Sequence, residues 1–224
     1  MKKIIILSAF FIFILPPIFG QTDTHRVAHG AERHLATLLN KPAMVKHPVA
    51  THLGKNWFTL ETDAHVFSDQ VSVRQVAEVF LDVENQAKFF DGKKSKLTAH
   101  LVSSTPQGDA VVDFVAIAMV LTFQLKTPYR AATKIETYTN TKFLLDIKQI
   151  PQDSATNTKI KNLYAPRYVE EVTIDGKKYT YIRIYAKMDV DASILPGAKG
   201  TLEKNSGPTN EEALELILKA AKTK

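Results

Sequence analysis

Histidines and acids are the side chains best able to do chemistry in this sequence, and the histidines are grouped. Six of the seven, His25, His29, His34, His47, His52 and His65, precede residue 66. His25 and His29 stand four apart on a segment with helical spacing, so both imidazoles could reach one ion from one face, with Glu32 nearby. That spacing is common by chance and the chain has no cysteine. Surface histidines are therefore the ordinary reading, and neither a metal nor another cofactor is expected. Asp113 is the conspicuous acid because it interrupts an apolar run, where burial could lift its pKa into a range useful for proton transfer. Its plainer reading is a place at the wet end of a strand, or pairing with a lysine. The sequence contains no G-x-S-x-G, H-E-x-x-H, phosphate-loop or dinucleotide-binding pattern. No catalytic residue is assigned, and binding is expected before catalysis.

The elements that must position these groups are legible from period and punctuation. Val27, Ala31, Leu35 and Leu38 follow helical spacing over Thr24 to Leu39, ended by Asn40 and Pro42, and a polar connector runs to about Lys55. Trp57 to Phe67 reads as a strand. Ser72 and Gln75 form a capping box opening a helix with Val73, Val76, Ala77 and Phe80 on one face, and a short second helix covers Glu84 to Phe90. Strands then follow one another: 97–103, 110–125, 129–139, 142–150, 163–174 and 177–190. Turn signals at 106–108, Thr127-Pro128, Asn140 and Asp175-Gly176 divide them.

Antiparallel pairing through short turns is the expected topology. Lys177 to Val190 would span ~45 Å, long for a compact sandwich. Ile182, Ile184, Ala186, Met188 and Val190 share one face of it. Val115, Ile117, Met119, Leu121 and Phe123 are placed together on another strand, and Phe143, Leu145 and Ile147 on a third. A curved sheet with one concave apolar side is expected. The chain then closes on a helix, with Thr209 and Glu212 as its capping box and Leu214, Ile217, Leu218 and Ala221 as its apolar stripe.

Composition narrows the setting. Lys2 and Lys3 precede an apolar run from Ile4 to Leu15 and a Pro16-Pro17 break, the pattern of a secretory signal peptide over residues 1–20. Without a cysteine the leader is not that of a lipoprotein, so a soluble periplasmic or secreted protein is expected. Residues 21–56 read as a helical extension and 57–224 as the main domain. Setting aside Lys2 and Lys3 lowers the formal charge from +6 to +4, spread too evenly for a nucleic-acid surface. Transient contact with an anionic membrane surface is compatible with it, and a monomer is expected.

Three stretches carry a family likeness: "VSVRQVAEVFLDVENQAKFF" from Val71, "TPYRAATK" from Thr127, and "DASILPGAKGTLEKN" from Asp191. With the element order, they resemble the helix-grip fold of the START superfamily, which includes birch-pollen-allergen-like proteins and polyketide cyclases. The resemblance covers Trp57 to Lys222. It implies an α+β fold in which about seven antiparallel strands wrap a long C-terminal helix, leaving a tunnel for a lipid or another hydrophobic ligand. Phe89 falls where an aromatic closes the short second helix. Arg130 matches an Arg-Asp strand start although Ala131 replaces the acid, and it is the head-group candidate. The implied walls hold Met119, Leu121, Phe123, Phe143, Leu145, Ile147, Ile184 and Met188, roofed by Leu214, Ile217 and Leu218. The Pro196-Gly197 corner and a polar loop to Pro208 would let that roof act as a lid. The expected function is binding or transfer of a hydrophobic ligand, with a cyclase or hydrolase in the same cavity as the alternative.

Overall fold

The alternation beginning at Trp57 builds the longest seam of the molecule. In the computed structural model, which describes residues 32–120, 123–150, 159–193, 195 and 197–224, with the side chains of 95 and 118–125 excepted, strand β3 is Trp57–Ser68 and β10 is Lys177–Asp191. The two pair antiparallel from Trp57↔Asp191 to Ser68↔Thr180. Phe58, Leu60, Ala64 and Val66 of β3 and Ile182, Ile184 and Ala186 of β10 are buried on the inner side, as period-two burial requires.

The chain order in the described residues is α1 (Leu35–Leu38), β1 (Ala43–Met44), β2 (Val49–Gly54), β3, α2 (Val73–Leu81), a 3-10 turn (Val83–Asn85) and α3 (Gln86–Phe89). It continues as β4 (Ser95–Ser104), β5 (Ala110–Val120), β6 (Phe123–Tyr138), β7 (Lys142–Gln149), β8 (Ile160–Tyr164), β9 (Arg167–Ile174), β10 and α4 (Ala198–Ala221). All ten strands join one antiparallel sheet, ordered β1-β3-β10-β8-β7-β6-β5-β4, with β2 beside β3 and β9 between β10 and β7. Strands β8 and β9 therefore share one lane, interrupted at Ala165 and Pro166. Ten strands exceed the expected count of about seven: the lanes from β3 to β4 number seven, one of them is split into β8 and β9, and β1 and β2 add an eighth lane.

Local chemistry explains most boundaries. Ser72 Oγ accepts from Gln75 N at 3.2 Å and Gln75 Oε1 accepts from Ser72 N at 2.8 Å, a complete capping box. Asp175 and Gly176, with φ of 51° and 75°, form the two-residue hairpin between β9 and β10. The turn expected at Thr127-Pro128 lies instead inside β6. There Pro128 pairs with Val115 of β5, while β7 begins to pair only at Ala131. With a partner on one side alone, a residue lacking an N–H is tolerated.

The connector expected before Lys55 contains two strands. Ala43 and Met44 pair with His65 and Ala64, and Val49 to Gly54 pair with Trp57 to Glu61. Of the helix expected over Thr24 to Leu39, one turn at Leu35–Leu38 is described. Residues 24–31, His25 and His29 among them, and the leader lie outside the described residues. No helix of the described residues is long and apolar enough to cross a membrane.

The expected break before the last helix is absent. α4 begins at Ala198 and runs through Pro208 for 24 residues, so the polar loop imagined as a hinge is helical. The capping box at Thr209 does not form. Thr209 Oγ1 donates back to Asn205 O at 2.8 Å, and Asn210 Nδ2 donates to Ser206 O at 2.8 Å. Such back-bonds bend a helix, beside a proline that removes the bond to Lys204. Acids of α4 strap it to its neighbours. Glu203 accepts from Ala50 N at 3.0 Å and Glu211 from Met44 N at 3.2 Å. Glu212 accepts from Lys93 N at 2.9 Å and Lys94 N at 2.7 Å.

On the outer face Arg183 holds Asp63 through two hydrogen bonds of 2.7 and 2.8 Å. His65 Nε2 also lies 2.9 Å from Asp63, but too obliquely for a hydrogen bond. The His65 ring instead meets the Tyr181 hydroxyl at 2.6 Å. Burial works to raise the Asp63 pKa, but His65 and Arg183 together outweigh it and hold the carboxyl below its usual value. A depressed folded-state pKa gives stability that is complete above the unfolded value and lost as pH falls through the folded one. Asp63→Asn should thus cost about 2–3 kcal/mol at neutral pH, since it strands a mostly buried guanidinium. The gap to wild type should shrink below about pH 4, as urea titrations at several pH values would reveal.

Candidate functional site

Between the inner face of the sheet and α4 lies a cavity of about 580 Å³, a usual size for a small-molecule site. Its wall is mainly apolar. Ala110, Phe114 and Ala116 of β5, Ile135 of β6, Leu145 and Ile147 of β7 and Ile184 of β10 form the sheet side, and Ala213 and Ile217 of α4 form the roof. Phe80, Leu81 and Phe90 close the side nearest α2 and α3. Polar residues Asp82, Glu84, Lys96, Thr105, Thr209 and Asn210 also border it. Gly108, in the β4–β5 turn beside the wall, has φ +89°, a backbone that side-chain-bearing residues rarely adopt, and a Cβ there would also press on the end of the Ile135 side chain at 2.8 Å.

Three polar side chains interrupt the apolar sheet wall: Thr133 of β6, whose Oγ1 donates to Ala110 O at 3.2 Å, and the longer Arg167 and Tyr129. Arg167 opens β9 just after the break in its lane, and its Nη1 donates to the carbonyls of Ala165, Tyr185 and Pro166 at 3.0, 3.2 and 3.3 Å. Tyr129 of β6 stacks on Phe114 with ring centroids 5.2 Å apart. Both residues keep accessible area although protein surrounds them on all sides, because the surface they expose is cavity wall. Burial lifts the Tyr129 pKa to about 12. Its phenol is therefore a hydrogen-bond donor and not a base at neutral pH. Burial lowers the Arg167 pKa from its very high usual value, with Tyr129 acting weakly in the opposite direction.

A sheet curled against a long terminal helix, with a cavity between them, can be compared with known structures. No family model and no curated protein matches the chain. The crystal structure of human STARD10 matches with a TM-score of 0.54 at 10% identity, covering 78% of this chain and 73% of that one. The fold is START-like. The Zhui aromatase/cyclase from Streptomyces sp. R1128 gives 0.48 at 13% identity, over 72% and 93% of the two chains. A STAR-related lipid transfer protein from Xanthomonas axonopodis gives 0.46 at 10%, over 80% and 98%.

Within this START-like frame the expected wall divides. Leu145, Ile147, Ile184 and Ile217 line the cavity. Phe143, Leu214 and Leu218 are buried in the packed core beside it, where Phe143 stacks on Phe80 at 6.2 Å. Met188 packs between two core clusters and not on the wall. Phe89 is partly buried with the Lys224 ammonium 5.2 Å from its ring centroid, and its neighbour Phe90 takes the lining place. The side chains of Met119, Leu121 and Phe123 lie outside those described.

Arg130 does not face the cavity. It points to the opposite side of β6 from Tyr129 and grips Asp113 through bonds of 2.6 and 2.7 Å. The arginine beside Asp113 depresses its pKa, against a smaller contrary push from burial, so the acid is a paired surface group. The inward residues of β5 are Val112, Phe114 and Ala116, not the set containing Val115, although Ile117 near the strand's far end also reaches the wall. Nearly every position of this run is apolar, which hides its period, and Asp113 was the one mark of the outer side. Arg167 was missed because residues 163–174 read as one unbroken strand. Its two-residue spacing from Val169, which is wholly buried, was the available signal.

Proposed function

We propose that this chain is an exported carrier that holds one hydrophobic or amphiphilic molecule between sheet and terminal helix. The observation that carries the reading is the cavity of about 580 Å³ between sheet and helix, with a mainly apolar wall and polar groups gathered along its border, the composition of a site that binds by desolvation and orients by a small number of hydrogen bonds. Of the polar groups on the sheet wall, the Arg167 guanidinium and the Tyr129 phenol are donors and the Thr133 hydroxyl is bound to the Ala110 carbonyl. Holding a ligand fits them better than abstracting a proton from one, which sets the cyclase or hydrolase alternative second. The domain is residues 57–224, with the extension strapping the helix, and the protein works as a monomer that meets membranes briefly to load.

Titration with Nile red, an uncharged dye that brightens in apolar surroundings, tests the binding reading. Saturable one-to-one uptake, displaced by decanol, is expected; absence of saturation, or dye that decanol cannot displace, contradicts it. Export is tested separately by N-terminal sequencing of the mature protein. A start at Gln21 is expected, and Lys2 and Lys3 retained in a membrane fraction would contradict it.

A further inference from the structure

Arg167 is the least expected residue of the cavity. Its side chain lies against Leu145, Ile147 and Ile184 on an otherwise greasy wall, and a guanidinium stays charged in any protein environment. Taking that charge out of water is costly unless an anion or a full set of acceptors compensates it. The acceptors supplied are three backbone carbonyls, all on Nη1. Among the described residues no carboxylate pairs with Arg167, and neither Nε nor Nη2 has a protein acceptor. Arg74, Arg130 and Arg183, by contrast, each hold an acid. The carbonyls of Ala165 and Pro166 at the break in the β8–β9 lane anchor Nη1 of the fork, and Arg167 lines the cavity. A fork held this way presents parallel N–H groups to a planar or tetrahedral anion.

We propose that the ligand is an amphiphile with an anionic oxygen head, a carboxylate or a phosphate monoester, which enters head-first and pairs with the free N–H groups of Arg167 while its alkyl chain lies along the β5 and β7 wall. Tyr129, on the same inner surface and within electrostatic reach of Arg167, donates a second hydrogen bond to the head. The apolar surface then shields the pair, and the buried cation gains the counter-charge that the described protein does not supply. This assignment rests on the carrier reading above and deepens it.

The test compares four ten-carbon ligands on the intact protein by displacement of Nile red: decanoate, decyl phosphate, decanol and decyltrimethylammonium. Decanoate or decyl phosphate should bind roughly tenfold to a hundredfold more tightly than decanol, the range for hydrogen bonds to charged groups. The ammonium should bind worst, and the better of the two anions identifies the head. Arg167→Met should remove the preference for anions while decanol still binds. A purely structural role for Arg167, tying down the break at Ala165 and Pro166, would leave that preference unchanged. If Arg167→Met fails to fold, Tyr129→Phe provides the second reading, a several-fold loss of anion preference with decanol unaffected. Equal binding of decanol and both anions by wild type, or a preference for the ammonium, overturns the anionic-head assignment and leaves the carrier reading standing. Failure of all four ligands and of the dye overturns both.

Discussion

Ala116→Trp should abolish uptake of Nile red and decanol, at least tenfold in affinity, while the melting temperature stays within a few degrees of wild type. Ala116 lies on the inner side of β5 with its side chain on the cavity wall, so a larger side chain grows into ligand space. In a close-packed core the same insertion would force neighbours off their rotamers and cost ~1–3 kcal/mol or more. The measurement is paired, binding and thermal unfolding on the same preparations. Loss of stability without loss of binding would mean that this part of the cavity is not where ligand sits.

Phe143→Ala should do the reverse. Phe143 is wholly buried, stacks on Phe80 and meets the Tyr138 ring edge-on at 5.4 Å, yet does not border the cavity. Truncation should cost ~3–5 kcal/mol, the usual penalty for losing a core aromatic and leaving a void. The affinity of the molecules that remain folded should be nearly unchanged. Urea unfolding gives the first quantity and dye titration in the absence of denaturant the second. A stable Phe143→Ala variant with weakened binding would move Phe143 into the site and redraw its wall.

These opposite expectations for two strand residues show where sequence reasoning reached and where it stopped. Alternation in β10 and β7 was unambiguous because polar residues occupy every second position for most of their length, and Ile184, Leu145 and Ile147 were assigned to the correct face. Facing inward is not the same as lining a void. Phe143 and Met188 have the right parity, but α2 packs over the first and the second sits between two clusters, matters decided by elements remote in sequence. The apolar run of β5 carries no usable period: Val112, Phe114 and Ala116 face inward where the sequence points to the set containing Val115, although Ile117 of that set also reaches the wall. The last helix was legible in its apolar stripe but not in its start. Pro208 argues locally for a break, and the contacts that hold residues 198–207 helical come from Ala50 on β2, from the packing of Met44 and Pro48 against Gly207, and from bonds within the turn. Arg130 and Arg167 illustrate the same limit for chemistry. Both open or sit near strand segments, and only register tells which one has an acid across the ladder.

The most direct test of the cavity as a ligand site is solution NMR of protein labelled at alanine, isoleucine and leucine methyls, titrated with decanol. Intermolecular NOEs from the decanol chain should appear at Ala116, Ile135, Ile147, Ile184 and Ala213. They should be absent at the exposed Leu53 of β2 and at the buried Leu38 of α1. NOEs confined to surface methyls such as that of Leu53, with the five cavity methyls silent at saturating decanol, would contradict an internal site.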